Sequence, residues 1–274
     1  MDTAGALMLI DTHCHFDVED FDADRLEVAS RAAMAGVEMV VIPGYLARLW
    51  PKLMEVCTSL SVPRLLPAPG LHPCYIAEHE EQHLLELDGL LRDRAECVAV
   101  GEIGLDYYLD VLKAPAVKEK QQHFFRAQLE LARQHGKPVI LHVRKAHQDV
   151  IHILHDMKFR EGGIVHAYSG GIEEARHYAK LGFRLGIGGP LTYDQSRRLR
   201  AVVSDMPLEA LVLETDAPDM IPQPHRAPGP GRTRNSPEFL PAVARALAEL
   251  KNLPLAQVQA VTRAQSLAVL RLVA

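Results

Sequence analysis

Two histidines stand two residues apart at the end of a short apolar run, Leu9-Ile10-Asp11-Thr12-His13-Cys14-His15. Alternate side chains of a strand share a face. His13 and His15 then point the same way, with Cα atoms roughly 6.5–7 Å apart, and both imidazoles can reach one divalent cation at about 2.0–2.1 Å. Cys14 faces the other way and reads as packing. Taken alone, the pair fits an ordinary strand end as well as a metal site. Other apolar runs end alike: Val98-Ala99-Val100 leads to Glu102, Val139-Ile140-Leu141 to His142, Ile164-Val165 to His166, and Leu211-Val212-Leu213 to Glu214-Thr215-Asp216. Burying these imidazoles and carboxylates together without a partner would be costly. A catalytic zinc-type site uses three protein ligands and a water, so six candidates suit two ions. The assignment places His13, His15 and Asp216 on one ion, His142 and His166 on the other, and Glu102 between them. Paired ions about 3.5–4 Å apart clamp the attacking and leaving oxygens of a displacement and make hydroxide available near neutral pH. Two such ions against two carboxylates attract an anionic group such as a phosphate. Glu102 and Asp216 are thus the candidate catalytic carboxylates, Asp216 also as acceptor of a proton from the attacking water.

These residues need elements that bring them together. Strand-like runs occur at Leu9–Asp11, Val37–Ile42, Leu65–Pro69, Val98–Gly101, Val139–Leu141, Gly163–Val165, Arg184–Ile187 and Leu211–Leu213. Helical patterns alternate with them, among others at Arg25–Ala35, His83–Arg94, Glu119–His135, Gln148–Met157, Glu173–Leu181 and Gln195–Ser204, and two more, near Pro237–Leu250 and Leu255–Leu272, close the chain. Eight β–α units predict an α/β fold, a single (β/α)8 TIM-like barrel spanning residues 1–274 as one domain. An open doubly wound sheet is the alternative, but no GxGxxG follows the first strand. In a barrel all strand C-termini meet at one face, where functional residues gather.

The composition narrows the partners. A chain of 274 residues, 48% hydrophobic, can bury a full core. A net charge of −5 argues against a general basic coat for nucleic acid, while leaving room for a local basic groove. The cysteines, Cys14, Cys57, Cys74 and Cys97, are scattered and read as thiols. With no basic leader and no run of 18 apolar residues, a cytoplasmic protein is expected, without a membrane association or a stable protein partner.

The sequence resembles the TatD-like family of metal-dependent hydrolases. The motifs that carry the resemblance are Ile10-Asp11-Thr12-His13-Cys14-His15, Gly70-Leu71-His72-Pro73, Val100-Gly101-Glu102-Ile103-Gly104-Leu105-Asp106, Val139-Ile140-Leu141-His142-Val143-Arg144, His166-Ala167-Tyr168-Ser169-Gly170, Leu213-Glu214-Thr215-Asp216-Ala217-Pro218 and Arg234-Asn235-Ser236-Pro237. They run in the family's order over nearly the whole chain. The resemblance implies a TIM-like barrel and a divalent-metal site at His13, His15, Glu102, His142, His166 and Asp216. It also implies deoxyribonuclease activity, often exonucleolytic and here expected to run 3′–5′. DNA, as single strands or duplex ends, is the implied substrate. Mg²⁺ or Mn²⁺ is expected for turnover, and the imidazoles suit Zn²⁺ as well. The final helix departs from the family pattern, reading Thr262-Arg263-Ala264-Gln265 with Leu270 in place of an aromatic residue, which leaves its packing open.

Around the mouth, His72 and Arg144 are candidate phosphate contacts, Arg144 in a bidentate manner. Glu214 is expected to support the site from the barrel wall, and Asp106 to bond its own loop. The Pro/Gly-rich connection from Ala217 to Pro237 is expected to form a rim on which Arg226, Arg232 and Arg234 meet a nucleic-acid backbone. Arg197, Arg198 and Arg200 either extend it or coat a helix. His79, His83, His123, His135, His147, His152, His155 and His177 are expected to be solvated. Two alternatives share the ligand set: a metal-dependent amide or ester hydrolase such as a D-aminoacyl-tRNA deacylase, and a non-catalytic nucleic-acid-binding barrel.

Overall fold

The structure is a computed structural model and describes residues 8–227 and 233–273. Among these, eight parallel strands alternate with helices. Strand β1 is Leu9–Asp11, β2 Val37–Pro43, β3 Arg64–Ala68, β4 Val100–Asp106, β5 Val139–Arg144, β6 Gly163–Val165, β7 Phe183–Ile187 and β8 Leu211–Leu213. They form a sheet β1-β2-β3 and a sheet β4-β5-β6-β7-β8. Backbone hydrogen bonds cross both seams: Thr12 N–H donates to Leu213 O at 3.0 Å, and Val98 N–H to Pro67 O at 3.0 Å. The result is the TIM-barrel-like α/β fold of the metallo-dependent hydrolases. The helices are α1 Arg25–Met34, α2 Trp50–Ser59, α3 Glu81–Asp93, α4 Pro115–Gln134, α5 His147–Asp156, α6 Ile172–Lys180, α7 Arg197–Asp205, α8 Leu240–Lys251 and α9 Leu255–Val269.

The strands are buried along nearly their whole length, as a parallel sheet covered by helices requires. Their side chains divide between two packed groups. Val40, Ile42, Leu141, Val165 and Leu185 meet the helices. Ile10, Val41, Leu66, Ile140, Ile164 and Val212 form a second cluster that Leu267, Val269 and Leu270 join. The departure at the last helix is therefore absorbed by packing: Leu270 is buried, and Gln265 Oε1 accepts from Arg184 Nε at 2.9 Å.

The strand β4 runs on to Asp106, five residues beyond the end expected from its apolar run. Its pairing with β5 passes from Val100↔Val139 to Ile103↔Leu141, three steps against two. One extra residue of this kind is a β-bulge, which re-aims side chains. It lies at Gly101–Glu102, so Glu102 projects from within a strand. Past it, Gly104 has φ 139° and sits so close to β5 that a Cβ would lie 2.1 Å from His142 O, a place where only glycine fits.

Candidate metal centre at the strand ends

The six candidate side chains converge. Glu102 is 1% exposed and lies between two sets of imidazoles. Its Oε2 is 3.2 Å from His13 Nε2 and 3.6 Å from His15 Nε2. Its Oε1 is 2.8 Å from His142 Nδ1 and 3.2 Å from His72 Nε2. Asp216 Oδ1 closes the first set, 3.6 Å from His13 Nε2, 3.8 Å from His15 Nε2 and 3.6 Å from His166 Nε2. Asp216 holds φ 54°, a left-handed backbone that costs a non-glycine residue about 1 kcal/mol or more. Its N–H donation to His13 O at 2.9 Å ties it to the first histidine.

His166 sits differently from the assignment made on sequence. Its ring stacks on His13 with centroids 3.4 Å apart, and its Nε2 is 3.9 Å from Glu102 Oε1. Glu214 causes this placement. Its Oε1 lies 3.1 Å from His166 Nδ1 and accepts from Ala167 N at 2.6 Å. Gly186 makes room for that carboxylate, since a Cβ there would lie 2.1 Å from Glu214 Oε2. Glu214 thus supports the site as expected, and His166 joins His13 instead of His142.

His142 is held by two carboxylates, with Nε2 2.9 Å from Asp106 Oδ2 in addition to its contact with Glu102. Asp106 does more than bond its loop. Its Oδ1 accepts from Tyr108 N at 2.7 Å, and its Oδ2 lies 3.5 Å from Cys74 Sγ. His72 Nδ1 accepts from Cys74 N at 3.0 Å. A nitrogen that meets an N–H must offer its lone pair, so the neutral ring carries its proton on Nε2 and points that donor at Glu102. His79, expected in solvent, is 1% exposed and its Nε2 donates to His72 O at 2.8 Å. Sequence reasoning missed Cys74 and His79. The short spacing His72-x-Cys74, two potential metal donors two residues apart, is the signal that points to the first; nothing local marks the second.

The electrostatics follow from this packing. Burial holds His13 well below the ordinary imidazole range, and holds His15 at about 4. Burial also works against a charge on His166, but the carboxylates of Glu214, Asp216 and Glu102 outweigh it and raise it to about 9. On His142 burial is outweighed by Asp106, Cys74 and Glu102, which raise it well above the usual value. Glu102 is pulled well below the carboxylate range despite burial, by His72, His13 and His166. Burial raises Asp216 to about 7.

Divalent cations fit these donors. Glu102 Oε2, which faces Nε2 of His13 and of His15, is buried without a hydrogen-bond partner. Donor atoms of His13, His15 and Asp216 lie within 4.8 Å of one another, as do those of His13, Glu102 and His166, and of His72, Cys74 and His142. Ligands about 2.1 Å from one tetrahedral ion sit about 3.4 Å apart, near the spacings around Glu102 Oε2. Imidazole and carboxylate donors suit Zn²⁺, Mn²⁺ and related ions.

The other expected contacts separate. Arg144 is exposed and stacks its guanidinium 3.6 Å above the Tyr108 ring. Arg234 is taken up by Asp24, with contacts of 2.8 and 2.7 Å, and lies over Phe21, so it fastens the rim and is not free for a phosphate. Arg226 is exposed, and Arg232 lies outside the described residues. Arg200 donates to Leu191 O at 2.9 Å. No helix among the described residues is long and apolar enough to cross a membrane.

The comparisons with known proteins agree with this geometry. Residues 10–271 match the family model described as TatD related DNase. The chain is 38% identical over 212 residues to YjjV of Escherichia coli K12, named an uncharacterized metal-dependent hydrolase, covering 77% of this chain and 80% of that protein. It is 37% identical over 232 residues to a protein of Edwardsiella piscicida named 3′-5′ ssDNA/RNA exonuclease TatD, covering 82% and 84%. The crystal structure of E. coli YjjV superposes with a TM-score of 0.88 at 34% identity, covering 97% of this chain and 98% of that one. The chain therefore belongs to the TatD-related DNase family of metal-dependent hydrolases.

Proposed function

We propose that this chain hydrolyses phosphodiester bonds of DNA, trimming single strands or duplex ends from the 3′ side, with two divalent cations held at His13, His15, Glu102, His142, His166 and Asp216. The observation that carries this is the Glu102 carboxylate, whose two oxygens face separate imidazole sets at 3.2 Å and 2.8 Å. The name of the E. piscicida relative supports the substrate class and polarity. His13, His15, His166 and Asp216 would hold one cation with Glu102 Oε2. His142 and Glu102 Oε1 would hold the other, with Cys74 and Asp106 alongside. Bound there, Mg²⁺ or Mn²⁺, or Zn²⁺, would supply Lewis acidity toward the phosphoryl oxygens and lower the pKa of water.

The protein's own groups do the rest. Glu102 is sealed at 1% side-chain exposure, whereas Asp216 is at 11%, on the open side of the cluster. Asp216 is thus the carboxylate that can reach the attacking water and take its proton. His72 is fixed by Cys74 N at Nδ1 and by His79 at its carbonyl, so its Nε2–H is held on Glu102 Oε1 and orients that carboxylate. Arg144, held flat on Tyr108, presents a guanidinium to a neighbouring phosphate.

The test is degradation of end-labelled single-stranded DNA with Mg²⁺ or Mn²⁺, before and after chelation. Shortening from the 3′ end that stops with chelator and returns with added metal is expected. Degradation that survives metal removal contradicts the proposal.

A further inference from the structure

Beside the metal cluster lies a cleft of about 480 Å³ that includes Tyr108, Lys118, Arg144, Lys145 and Arg198, a size suited to a small ligand or one residue of a polymer. Its four cationic side chains come from the end of β5 and from helices α4 and α7, and Tyr108 from just past β4. Among the described residues none of the four is ion-paired. The two carboxylates in the wall are already engaged. Glu174 accepts from Gly171 N at 3.0 Å and Gln148 Nε2 at 3.1 Å, and Asp149 accepts from Tyr107 OH at 3.1 Å and Gln122 Nε2 at 3.2 Å. The lining thus sets four cationic side chains against two carboxylates and keeps a net positive charge toward the cleft.

The cleft is joined to the cluster through one side chain. Asp106 contacts His142 Nε2 with one oxygen and Tyr108 N with the other. Arg144 follows His142 by two residues along β5. Tyr108 is 47% exposed although Arg144 covers one side of its ring.

We infer that this cleft is a binding subsite for single-stranded nucleic acid, taking the nucleotides next to the scissile bond: Lys118, Lys145 and Arg198 hold successive phosphates and Tyr108 stacks an unpaired base. This rests on the proposed phosphodiesterase reading and adds to it a place for the polymer. Aromatic stacking requires a base free of its partner, so the cleft selects single strands over duplex. Phosphate contacts of this kind release counterions, which makes affinity depend on salt.

The experiment is fluorescence anisotropy of a labelled oligothymidylate with the full chain in EDTA, where no turnover occurs, repeated over a range of salt. For Lys145→Ala/Arg198→Ala the plot of log affinity against log salt should flatten by about 1.4, two single-strand contacts at about 0.7 each. Tyr108→Ala should weaken single-strand binding about tenfold or more and duplex binding much less. An unchanged salt slope, or equal losses on single strand and duplex, overturns the inference. Thermal melts of each variant show that the fold is intact. Binding through the cleft with no degradation in Mg²⁺ or Mn²⁺ would sink the proposed function and leave this subsite standing; degradation with unaltered binding in these variants would do the reverse.

Discussion

The two sides of the Glu102 carboxylate are built on opposite principles. Toward Oε2, His13 and His15 bring their Nε2 atoms within 3.3 Å of each other and leave Glu102 Oε2 buried without a hydrogen-bond partner. Burial keeps these rings neutral, His15 down to about 4. Toward Oε1, His142 has a carboxylate on each ring nitrogen, at 2.8 Å and 2.9 Å, and those contacts hold its proton. The first side is arranged for a cation and has poor internal alternatives; the second already satisfies its own groups. A bare cluster of this kind should load the His13 side first, and the His142 side with loss of the hydrogen bonds to Glu102 and Asp106.

The largest effect should come from removing what the sides share. Glu102→Ala should lose both cations and lower kcat/KM about a thousandfold or more, in the range set by loss of a catalytic electrostatic group; metal analysis of the purified variant, with DNA degradation alongside, checks this. Retention of two cations would break the picture of a shared carboxylate. Next is Glu214→Gln, which removes the charge 3.1 Å from His166 Nδ1. Loss of such a supporting partner weakens metal binding about 10–100-fold, and calorimetry should place the loss on the tighter site alone.

Lowering the pH should weaken both sides. An imidazole held below its ordinary value stays neutral as pH falls, so His13 and His15 need release no proton to bind a cation. His142 and His166, both held above it, must each give one up, and Asp216, raised to about 7, takes up a proton in the same range. Occupancy of each side should therefore fall about tenfold per pH unit or more between about pH 7 and about pH 5; Mn²⁺ binding followed by electron paramagnetic resonance reads both. Undiminished occupancy of either side at about pH 5 would contradict this. The smallest effect is expected at Cys74→Ser, which keeps the Nδ1 contact of His72 to the backbone and alters only the sulfur 3.5 Å from Asp106. A few-fold shift in preference from Zn²⁺ toward Mg²⁺ is expected from replacing a soft donor, measured by competition between the two metals.

Much of the barrel was legible in the sequence because buried parallel strands are continuous apolar runs. The bounds of β1, β6 and β8 agree with the apolar runs residue for residue. Helix α2 was not singled out: Pro51 near its start looks like a breaker, yet the first turn of a helix tolerates proline. The extension of β4 was hidden because residues 102–106 alternate in an unfamiliar way across a bulge, and no local pattern announces an extra residue. The convergence of six side chains could be anticipated from the common polarity of strand ends. Their grouping could not, since the partner of His166 is decided by Glu214, 48 residues away, and by the space at Gly186. The same holds for Arg234, whose engagement by Asp24 spans 210 residues, and for His79, buried by a turn that sequence pattern places on a helix.

The most direct measurement is anomalous diffraction from crystals of the native chain and of His142→Ala, both grown with Mn²⁺. Two peaks flanking the Glu102 carboxylate in the native protein, and one remaining beside His13, His15 and Asp216 in the variant, are predicted. A single peak in the native crystal, or two undiminished peaks in the variant, would contradict the account.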